Sequence, residues 1–328
     1  MRLSSRLCWN TKDNNWTKIL AHHTIFYDLT ISNPTKAFDL SQYEKTIIHA
    51  LLQPEAIFYE PSPLGLESAR EFLAKALPLP THFSSENILL TSSTSEAYAF
   101  LFKLLCNPKD EILVPVPSYP LFEYLAKLEG IKIVPYRLDY IHGKGYEIDI
   151  GFLKRVLSPR TKALIYVHPN NPTGTGATEK EIATLNELMR QYDIALIVDE
   201  VFSDYWCNRP DKVPQSWLGL VDGPLFVLGG LSKSLLLPQM KLAWTLFSAP
   251  KKDMQKLEKA IELIGDTYLS PSLPIQLALP LWWKLKPELN SLVRERLSQN
   301  LDLLHSLFFQ TPSRLQTYHG GWSAVIGI

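Results

Sequence analysis

Residues 162–199 read KALIYVHPNNPTGTGATEKEIATLNELMRQYDIALIVD, and the fold class can be predicted from this segment. Two aliphatic runs, KALIYV at 162–167 and IALIVD at 194–199, lie on either side of a helical pattern at 178–192. The helical pattern opens with a threonine followed by acidic residues, which is typical of a helix N-terminus. Both runs are continuously apolar rather than alternating, as expected of strands that are covered on both faces. The stretch therefore predicts two parallel strands joined by a crossover helix.

The same alternation extends in both directions from this unit. Five further apolar runs read as buried strands: NILLT (87–91), EILVP (111–115), KIVPYRL (132–138), LFVLGG (225–230) and KLAWTLF (241–247). Between many of the runs lie helical patterns, such as EAYAFLFKLL (96–105) and LFEYLAKLE (121–129). We therefore predict an α/β fold with a seven-stranded, mostly parallel sheet and helices on both faces.

The chain is predicted to form one large domain and one smaller lobe. The seven predicted strands place the large domain at residues 39–284. Residues 1–38 are irregular and polar, whereas 281–309 carry a long helical pattern with Pro287 as its kink or start. We predict that residues 1–38 and 285–328 together form the smaller α/β domain.

Composition restricts the classes of partner and compartment. Lysine plus arginine and aspartate plus glutamate both number 33, so the formal net charge is zero and no basic field favours nucleic acid. The cysteines, Cys8, Cys106 and Cys207, lie far apart, which fits neither a disulfide framework nor a metal site. No signal peptide is evident, and no apolar run approaches the ~20 residues of a membrane span. We expect a cytoplasmic globular protein without a metal, a nucleic-acid partner or a membrane segment.

Polar or glycine-rich segments follow five of the predicted strands. In doubly wound sheets, ligands bind beyond the carboxyl ends of the strands, so these segments are expected to share one edge of the sheet. The segments are SSTSEA (92–97), VPSYP (116–120), HPNNPTG (168–174), DEVFSDY (199–205) and GGLSKS (229–234). Their coincidence predicts a binding site at that edge.

Several of these side chains have both a structural and a functional explanation. Ser93, Thr94 and Ser95 lead into a helix, where free N–H groups suit a phosphate. Taken alone, however, an ordinary serine or threonine cap is the simpler explanation. Asp199 ends an aliphatic strand and must be paired, either with a protonated ring nitrogen of a cofactor or with a structural arginine.

Three further residues leave similar alternatives open. Asn171 either contacts a ligand or sets a turn before Pro172, and the turn is the simpler explanation when the motif is taken alone. Tyr119 either stacks on a ring or packs against its neighbours. Lys233 is either a surface lysine or, given its apolar flanks, a buried amine whose lowered pKa makes it a nucleophile.

Taken together, these segments resemble the class I/II aminotransferases, which use pyridoxal 5′-phosphate (PLP) and have the aspartate-aminotransferase type of fold. The NPTG motif, the DEVF strand end and the SK motif, in this order and spacing, carry the resemblance. It extends over SSRL (4–7), DLTISNPT (28–35), FYEPSPLGLESARE (58–71), LSKSLLLPQMKLAW (231–244) and GGWSAV (320–325). The resemblance implies a PLP-dependent type I transferase fold and a role in amino-acid metabolism or biosynthesis.

The resemblance also implies a role for each strand-end residue. Lys233 matches the lysine that forms the internal aldimine with PLP and then moves the proton between the substrate α-carbon and the cofactor. Asp199 is expected to keep the pyridine nitrogen protonated, and Asn171 is expected to donate to the ring 3′-oxygen. These three are the expected catalytic residues, and Tyr119 is expected to stack on the ring face.

A second group is expected to bind the cofactor phosphate. The 93–95 turn offers N–H groups, and Lys241 stands where the family usually has an arginine, so it keeps the charge but not the bidentate fork. Gly230 stands where many members have a phosphate-binding serine, and Ser232 compensates in part. Tyr59 is expected to reach the phosphate of the neighbouring subunit, which implies a homodimer with shared sites.

Two departures from the family pattern concern the ring and the substrate. Phe202, at the cofactor site, stands where many members have a tyrosine that donates to the 3′-oxygen, so this hydrogen bond is absent unless Tyr205 or another group supplies it. The family usually continues beyond GGWSAV with the arginine that binds the substrate carboxylate. Since no arginine follows Arg314 before Ile328, we expect a C-terminally truncated small domain, an unpartnered strand edge at 322–328 and poor turnover of ordinary amino acids.

These residues predict a PLP-dependent aminotransferase that moves an amino group between an amino acid and a 2-oxo acid through a Lys233 aldimine, by a ping-pong cycle. Two alternatives share Lys233 and Asp199. One is a PLP-dependent β-lyase on the same scaffold, and the other is a truncated, non-catalytic PLP-binding protein with a regulatory or interaction role. No motif identifies the amino donor.

Overall fold

A computed structural model of the chain describes residues 32–328 together with Ser4, Arg6 and Lys18. In this part of the chain one sheet is built from β1 (Ile88–Thr91), β2 (Glu111–Val116), β3 (Lys132–Ile141), β4 (Gly145–Ile148), β5 (Thr161–Val167), β6 (Ala195–Asp199), β7 (Leu225–Gly230) and β8 (Ala243–Ser248). Their order across the sheet is β1-β8-β7-β6-β5-β2-β3-β4. Near the C-terminus a separate antiparallel pair is formed by β9 (Arg314–Leu315) and β10 (Ile326–Gly327).

The five central strands of the sheet, β7, β6, β5, β2 and β3, run parallel to one another. The outer strands are antiparallel: β8 pairs with β7, β1 with β8, and β4 with β3. The predicted α/β fold with a mostly parallel sheet is confirmed.

The predicted number of strands is wrong by one, because the sequence pattern missed β4. This strand has only four residues, GYEI, and pairs with 138–141 of β3, a segment that starts at the last residue of the predicted run 132–138. Its central residues, Tyr146 and Glu147, are only half-buried. An edge strand with one face toward solvent carries no continuous apolar run, so the pattern for doubly covered strands does not detect it.

Helices pack on both faces of the sheet. They are α1 (Pro34–Ala37), α2 (Glu44–His49), α3 (Glu67–Ala76), α4 (Thr94–Leu105), α5 (Leu121–Leu128), α6 (Ile150–Val156), α7 (Glu179–Tyr192), α8 (Leu231–Ser234), α9 (Lys251–Tyr268), α10 (Leu273–Trp283) and α11 (Lys286–Phe308). The helix predicted at 178–192 forms as α7, and Thr178 and Glu181 form its capping box. Within the described chain, none of the helices combines the length and the apolar character needed to traverse a bilayer.

Strand β6 shows why the central strands are continuously apolar. Leu196 and Val198 pack into one core, which α3, α7 and α10 also line. Ala195 and Ile197 pack into the second core, on the opposite face, together with α4, α5 and α9. Since successive side chains of a strand point to opposite faces, a strand between two apolar layers must be apolar at every position.

The proposed division into two domains, with the large one at 39–284, stays a prediction. Helix α11 begins at Lys286 with Pro287 in its first turn, so the proline stands at the start of the helix rather than at a kink. The smaller lobe is predicted to include residues 1–38. Most of this segment lies outside the described residues. Of the SNPT motif, Asn33 caps α1 by accepting the N–H of Thr35.

Two helices hold the segment 60–66 against the sheet. The backbone N–H of Leu66 donates to the side-chain oxygen of Gln276 in α10 at 2.6 Å. Gly265 of α9 packs directly on the carbonyl group of Pro63 and leaves no room for a side chain. The YxPxPxG element is thereby fixed between α9, α10 and the sheet.

Gly265→Ala is expected to destabilise the fold by about 1–3 kcal/mol, because the added methyl group would overlap the backbone of Pro63 and overpacking has this cost. Urea unfolding measures the change. Gly223→Ala is the matched control, because a Cβ at that position meets no atom within 4 Å. An equal loss of stability in both variants would show that the contact between α9 and Pro63 is not tight.

Candidate functional site

The strand register brings the segments after β1, β5, β6 and β7 to one edge of the sheet. Thr91, the last residue of β1, and Gly230, the last residue of β7, both pair with Ala243 at the start of β8. Asp199, at the end of β6, pairs with Val167 at the end of β5. The candidate side chains that follow these strands therefore lie along a common edge, where parallel sheets bind ligands.

Lys233 lies in α8, the short helix that begins immediately after β7. Its Nζ lies 4.6 Å from the centre of the Trp322 ring and 5.5 Å from the centre of the Phe202 ring. Burial lowers the pKa of Lys233, and the negative charge of Asp199 acts in the opposite direction. The amine is enclosed by aromatic rings rather than solvated as a surface lysine, and a lowered pKa leaves more of it neutral and nucleophilic.

Asp199 is a buried carboxylate with two hydrogen-bond donors. Its Oδ2 accepts the hydroxyl of Tyr98 at 3.0 Å, and its Oδ1 accepts the backbone N–H of Val201 at 3.1 Å. Burial raises the pKa of Asp199 to about 6, against the opposing effects of these two donors and of Lys233. Among the described residues Asp199 forms no salt bridge, so the structural-arginine alternative is not supported.

Glu200, the next residue, lies in a different environment. Its Oε1 accepts the backbone N–H of Trp217 at 2.8 Å and the hydroxyl of Ser216 at 3.0 Å. Burial raises the pKa of Glu200 to about 8, and the negative charge of Asp199 adds to the effect. At pH 7 the adjacent carboxyl groups therefore differ in charge, since Asp199 is mostly ionised and Glu200 mostly protonated.

The 93–95 turn lies at the N-terminus of α4, as predicted. Ser93 is the N-cap, and its hydroxyl accepts the N–H of Glu96 at 3.1 Å. The hydroxyls of Thr94 and Ser95 form no hydrogen bond within the described chain, and the first N–H groups of a helix have no intrahelical acceptor. Ser93 is thus an ordinary cap, whereas its two successors remain available to an anion.

Lys241 and Ser232 lie at the same edge of the sheet as the 93–95 turn. Lys241 stands two residues before β8, has a left-handed backbone (φ 57°) and is exposed. Ser232 is half-buried in α8, next to Lys233. Because the start of β8 pairs with the ends of both β1 and β7, Lys241 lies between the 93–95 turn, which follows β1, and Ser232, which follows β7.

The loop after β5 separates the roles of two neighbouring asparagines. Asn170 is buried and organises the loop, because its Oδ1 accepts the hydroxyl of Thr173 at 3.0 Å and its backbone N–H donates to Thr175 at 2.8 Å. Asn171 is half-buried, and its side chain makes no hydrogen bond within the described chain. The turn is thus maintained by Asn170, which leaves the amide of Asn171 free for a ligand.

Two predicted cofactor residues are exposed at the periphery. Tyr119 is 47% exposed, and its ring lies nearly perpendicular to that of Phe122, with ring centres 6.1 Å apart. Tyr59 is 76% exposed. Both side chains are therefore accessible on the surface of a single copy of the chain.

Tyr205 does not take the place of the tyrosine that Phe202 replaces. The Tyr205 hydroxyl lies 2.5 Å from the backbone carbonyl oxygen of Lys233 and 3.2 Å from Oδ1 of Asn290 in α11. Its ring is fully buried and contacts Trp322, with ring centres 5.3 Å apart. Tyr205 therefore supports the turn that carries Lys233 rather than donating into the site.

Sequence reasoning missed three residues of this site. Tyr98 falls within the apolar helical pattern at 96–105 and is treated there as core, although a buried phenol hydroxyl needs a partner. Glu200 follows Asp199 directly, and a second acidic residue at the end of a buried strand is a sequence feature from which a site residue can be predicted. Trp322 comes from the far end of the chain, and no local pattern links it to Lys233.

Comparison with known proteins identifies related sequences. A family model described as aminotransferase class I and II matches residues 37–307. Nicotianamine aminotransferase 1 of Oryza sativa subsp. japonica is 32% identical over 224 residues, which is 67% of this chain and 45% of that protein. Tyrosine aminotransferase of Dictyostelium discoideum is 29% identical over 241 residues, 72% of this chain and 56% of that protein. The chain spans about half the length of these curated relatives.

Solved structures share the fold. An aminotransferase from Escherichia coli superposes with a TM-score of 0.82 at 23% identity, covering 100% of this chain and 83% of that one. A single mutant of Thermus thermophilus aspartate aminotransferase gives a TM-score of 0.81 at 20% identity, covering 99% and 85%. At this level of identity the similarity concerns the fold.

Asp199→Asn is expected to lower the pKa of Lys233 further, because the negative charge of Asp199 partly offsets the effect of burial. The pKa can be measured from the pH dependence of the reaction of Lys233 with an amine-specific reagent, followed by peptide mapping. Glu200→Gln is the matched control, because Asp199 and not Glu200 is the carboxyl group whose charge acts on the pKa of Lys233. A raised or unchanged pKa in Asp199→Asn would contradict the coupling.

Glu200 is expected to make the protein without cofactor less stable as the pH rises from about 4.5 to about 8. In this window the folded state keeps the Glu200 proton and the unfolded state releases it, so the free energy of unfolding falls with pH. Glu200→Gln should remove on the order of 4 kcal/mol of that decline between pH 5 and 8, measured by urea unfolding.

Glu111→Gln gives the opposite pattern and serves as the comparison. Hydrogen bonds from Ser158 and Lys132 lower the pKa of Glu111, so its contribution to stability is present above its ordinary pKa and is lost as the pH falls. Identical pH slopes in wild type and Glu200→Gln would exclude a buried, protonated Glu200.

Proposed function

The chain belongs to the class I and II aminotransferase family, and we propose that it binds PLP covalently through Lys233 and moves an amino group between an amino acid and a 2-oxo acid. The observation that carries this proposal is the pairing at the sheet edge. A half-buried lysine with a lowered pKa lies beside two aromatic rings, and a buried aspartate with a raised pKa ends the neighbouring strand. Groups whose pKa values are shifted in this way cluster at functional sites.

The substrate class is proposed at the level that the relatives support. The chain spans about half the length of the curated relatives, so the proposal is limited to the class of reaction and of substrate. Their names specify two different substrates, nicotianamine and tyrosine. We therefore propose an amino acid as donor and a 2-oxo acid as acceptor, without selecting one.

The chemistry of the donor set fits PLP. The carboxylate of Asp199 is buried and accepts only neutral donors, so a protonated ring nitrogen would supply the positive charge that its burial requires. Thr94 and Ser95, at the start of α4, and Lys241, before β8, offer donors and a positive charge to a phosphate group. An amine, a carboxylate and an anion site along one sheet edge match the three functional parts of this cofactor.

In the proposed reaction, PLP supplies the electron sink for chemistry at the α-carbon of the amino acid. Lys233 is the nucleophile that attaches the cofactor, and its freed amine then takes the proton from the substrate α-carbon and returns it during transfer. A partly desolvated amine suits attack and proton removal, because both steps require its unprotonated form, and the protonated amine formed by the second step returns the proton. Phe202 and Trp322 exclude water from around this amine.

The remaining residues bind and orient in this proposal. Asp199 holds the proton of the ring nitrogen, Asn171 donates to the 3′-oxygen, and Tyr119 covers the ring face. Ser93, as the N-cap, fixes the geometry of the first turn of α4, whose N–H groups bind the phosphate together with Ser232.

We propose a homodimer in which Tyr59 contributes to the neighbouring site. Large apolar side chains beside it are exposed, namely Leu52, Ile57 and Phe58. Large exposed apolar side chains mark protein interfaces when they form a patch. In this proposal a second copy covers these side chains, and the Tyr59 hydroxyl of each copy reaches the phosphate site of the other.

The cytoplasmic location and the domain division remain proposals of the same kind. Cys106 and Cys207 are both free thiols, which is compatible with a reducing compartment. We keep the large domain at 39–284 and assign 1–38 and 285–328 to the smaller one.

Wild-type protein incubated with PLP and reduced with borohydride is expected to carry a phosphopyridoxyl group on Lys233, located by peptide mass mapping. Lys233→Ala should lose this label, and amino transfer to 2-oxoglutarate should fall by about 10²–10⁴-fold, because the nucleophile and proton carrier is absent. Lys252→Arg, an exposed position on α9, is the control and should keep both the label and the activity. Failure of the wild type to take up the label would overturn the cofactor assignment.

The same assay separates transfer from elimination. Amino transfer requires the 2-oxo acid acceptor, whereas pyruvate release from a cysteine conjugate without any acceptor would identify a β-lyase. PLP labelling of Lys233 without either reaction would identify a non-catalytic PLP-binding protein.

A further inference from the structure

A tyrosine from the second core reaches the carboxylate at the end of β6. Tyr98 belongs to α4, the same helix whose N-terminus carries the 93–95 turn, and it lies one turn further along. Its hydroxyl donates to Oδ2 of Asp199 at 3.0 Å. One helix therefore contributes to both ends of the candidate site, the anion-binding end and the carboxylate end.

The carboxylate of Asp199 is held by one donor on each oxygen. Val201 N–H binds Oδ1 at 3.1 Å, and the Tyr98 hydroxyl binds Oδ2 at 3.0 Å. Two donors on opposite oxygens fix the plane of the carboxyl group. Since an ionised carboxylate has about four lone-pair positions, each oxygen keeps one for a ligand.

Tyr98 is itself rigidly placed. It is only 3% exposed, and its ring packs against Phe102 and against the edge of Phe122, with ring centres 6.0 and 5.1 Å apart. A buried phenol hydroxyl needs an acceptor, and in the described structure this acceptor is Asp199. Packing in the second core thus fixes the position of the Tyr98 hydroxyl, and this hydroxyl fixes the position of the Asp199 carboxylate.

We propose that Tyr98 is a positioning residue for Asp199: its hydroxyl fixes the orientation of the carboxylate and stabilises its ionised form for the ring nitrogen of the cofactor. This inference rests on the proposed function. The other charged or titratable groups that face Asp199 are Lys233 from α8 and Glu200 from the same strand end. Of these groups only Tyr98 donates a side-chain hydrogen bond to the carboxylate.

The first measurement uses the protein without cofactor. Tyr98→Phe removes one hydroxyl and keeps the ring, and the pKa of Asp199 should rise, because the hydrogen bond favours the ionised form. NMR of protein carrying ¹³C-labelled aspartate reports this pKa, and Asp199→Asn identifies the signal. An unchanged Asp199 pKa would overturn the proposal.

The second measurement is the dissociation constant for PLP. Loss of a hydrogen bond to a charged group should weaken PLP binding by about tenfold in Tyr98→Phe. In an Asp199→Asn background the same change should have little further effect, because the two residues act through one interaction. An equal weakening in both backgrounds would overturn the role for Asp199, since Tyr98 would then act through the fold alone.

Tyr136→Phe is the matched control. Tyr136 is also fully buried, and its hydroxyl donates to the carbonyl oxygen of Ile165 at 2.8 Å, away from any carboxylate. Tyr136→Phe should lower stability while leaving both the Asp199 pKa and the PLP affinity unchanged. A change of the same size in this control would assign the effect to stability and overturn the proposal.

A second variant is available if Tyr98→Phe fails to fold. 3-Fluorotyrosine at position 98 keeps nearly the same volume and is a stronger hydrogen-bond donor, so the pKa of Asp199 should fall. A rise or no change would overturn the proposal.

Failure of the proposed function can be distinguished from failure of this inference. If wild-type protein binds no PLP, the proposed function fails, and with it the cofactor part of this inference. The NMR measurement still decides whether Tyr98 controls Asp199.

Discussion

The cost of burying a charge at the end of an apolar strand governs the arrangement of this protein. Asp199 ends a strand in which every residue is buried, and burial raises its pKa to about 6. An isolated carboxylate in such a place is strongly unfavourable. The described chain offsets this cost with Tyr98 from α4, a backbone N–H from Val201 and the nearby charge of Lys233.

The segment 199–205 contributes both to the carboxylate of Asp199 and to the surroundings of the Lys233 amine. It begins with Asp199, and three residues later Phe202 places its ring beside the amine of Lys233. A further three residues on, the Tyr205 hydroxyl lies 2.5 Å from the carbonyl oxygen of Lys233. Trp322 completes the enclosure of the amine from the other end of the chain. One short segment therefore sets the position of the carboxylate, part of the aromatic enclosure and the turn that presents the lysine.

Local patterns predicted most of the sheet and the candidate residues at its edge, for a physical reason. Strands covered on both faces are continuously apolar, and the carboxyl ends of parallel strands share one edge of the sheet. Both the apolar strands and the polar segments that follow them can therefore be found from the sequence. Strand β4 was missed because one of its faces meets solvent. Tyr98 and Trp322 were missed because their roles depend on contacts between distant segments, which the side-chain period of a single element does not reveal. The roles carried over for Asn171 rest on the family resemblance rather than on any such pattern.

The adjacent acids at the end of β6 illustrate how one strand separates two chemical environments. Since successive side chains point to opposite faces, Asp199 and Glu200 meet different neighbours although they are consecutive. Asp199 receives a phenol hydroxyl and the influence of the Lys233 charge. Glu200 receives donors from Ser216 and Trp217, and no positive charge is among the causes that act on its pKa. Two ionised carboxylates side by side would each raise the pKa of the other. Because Glu200 is mostly neutral at pH 7, Asp199 carries the negative charge of this pair. That charge offsets part of the lowering of the Lys233 pKa by burial and remains available to a positively charged ligand.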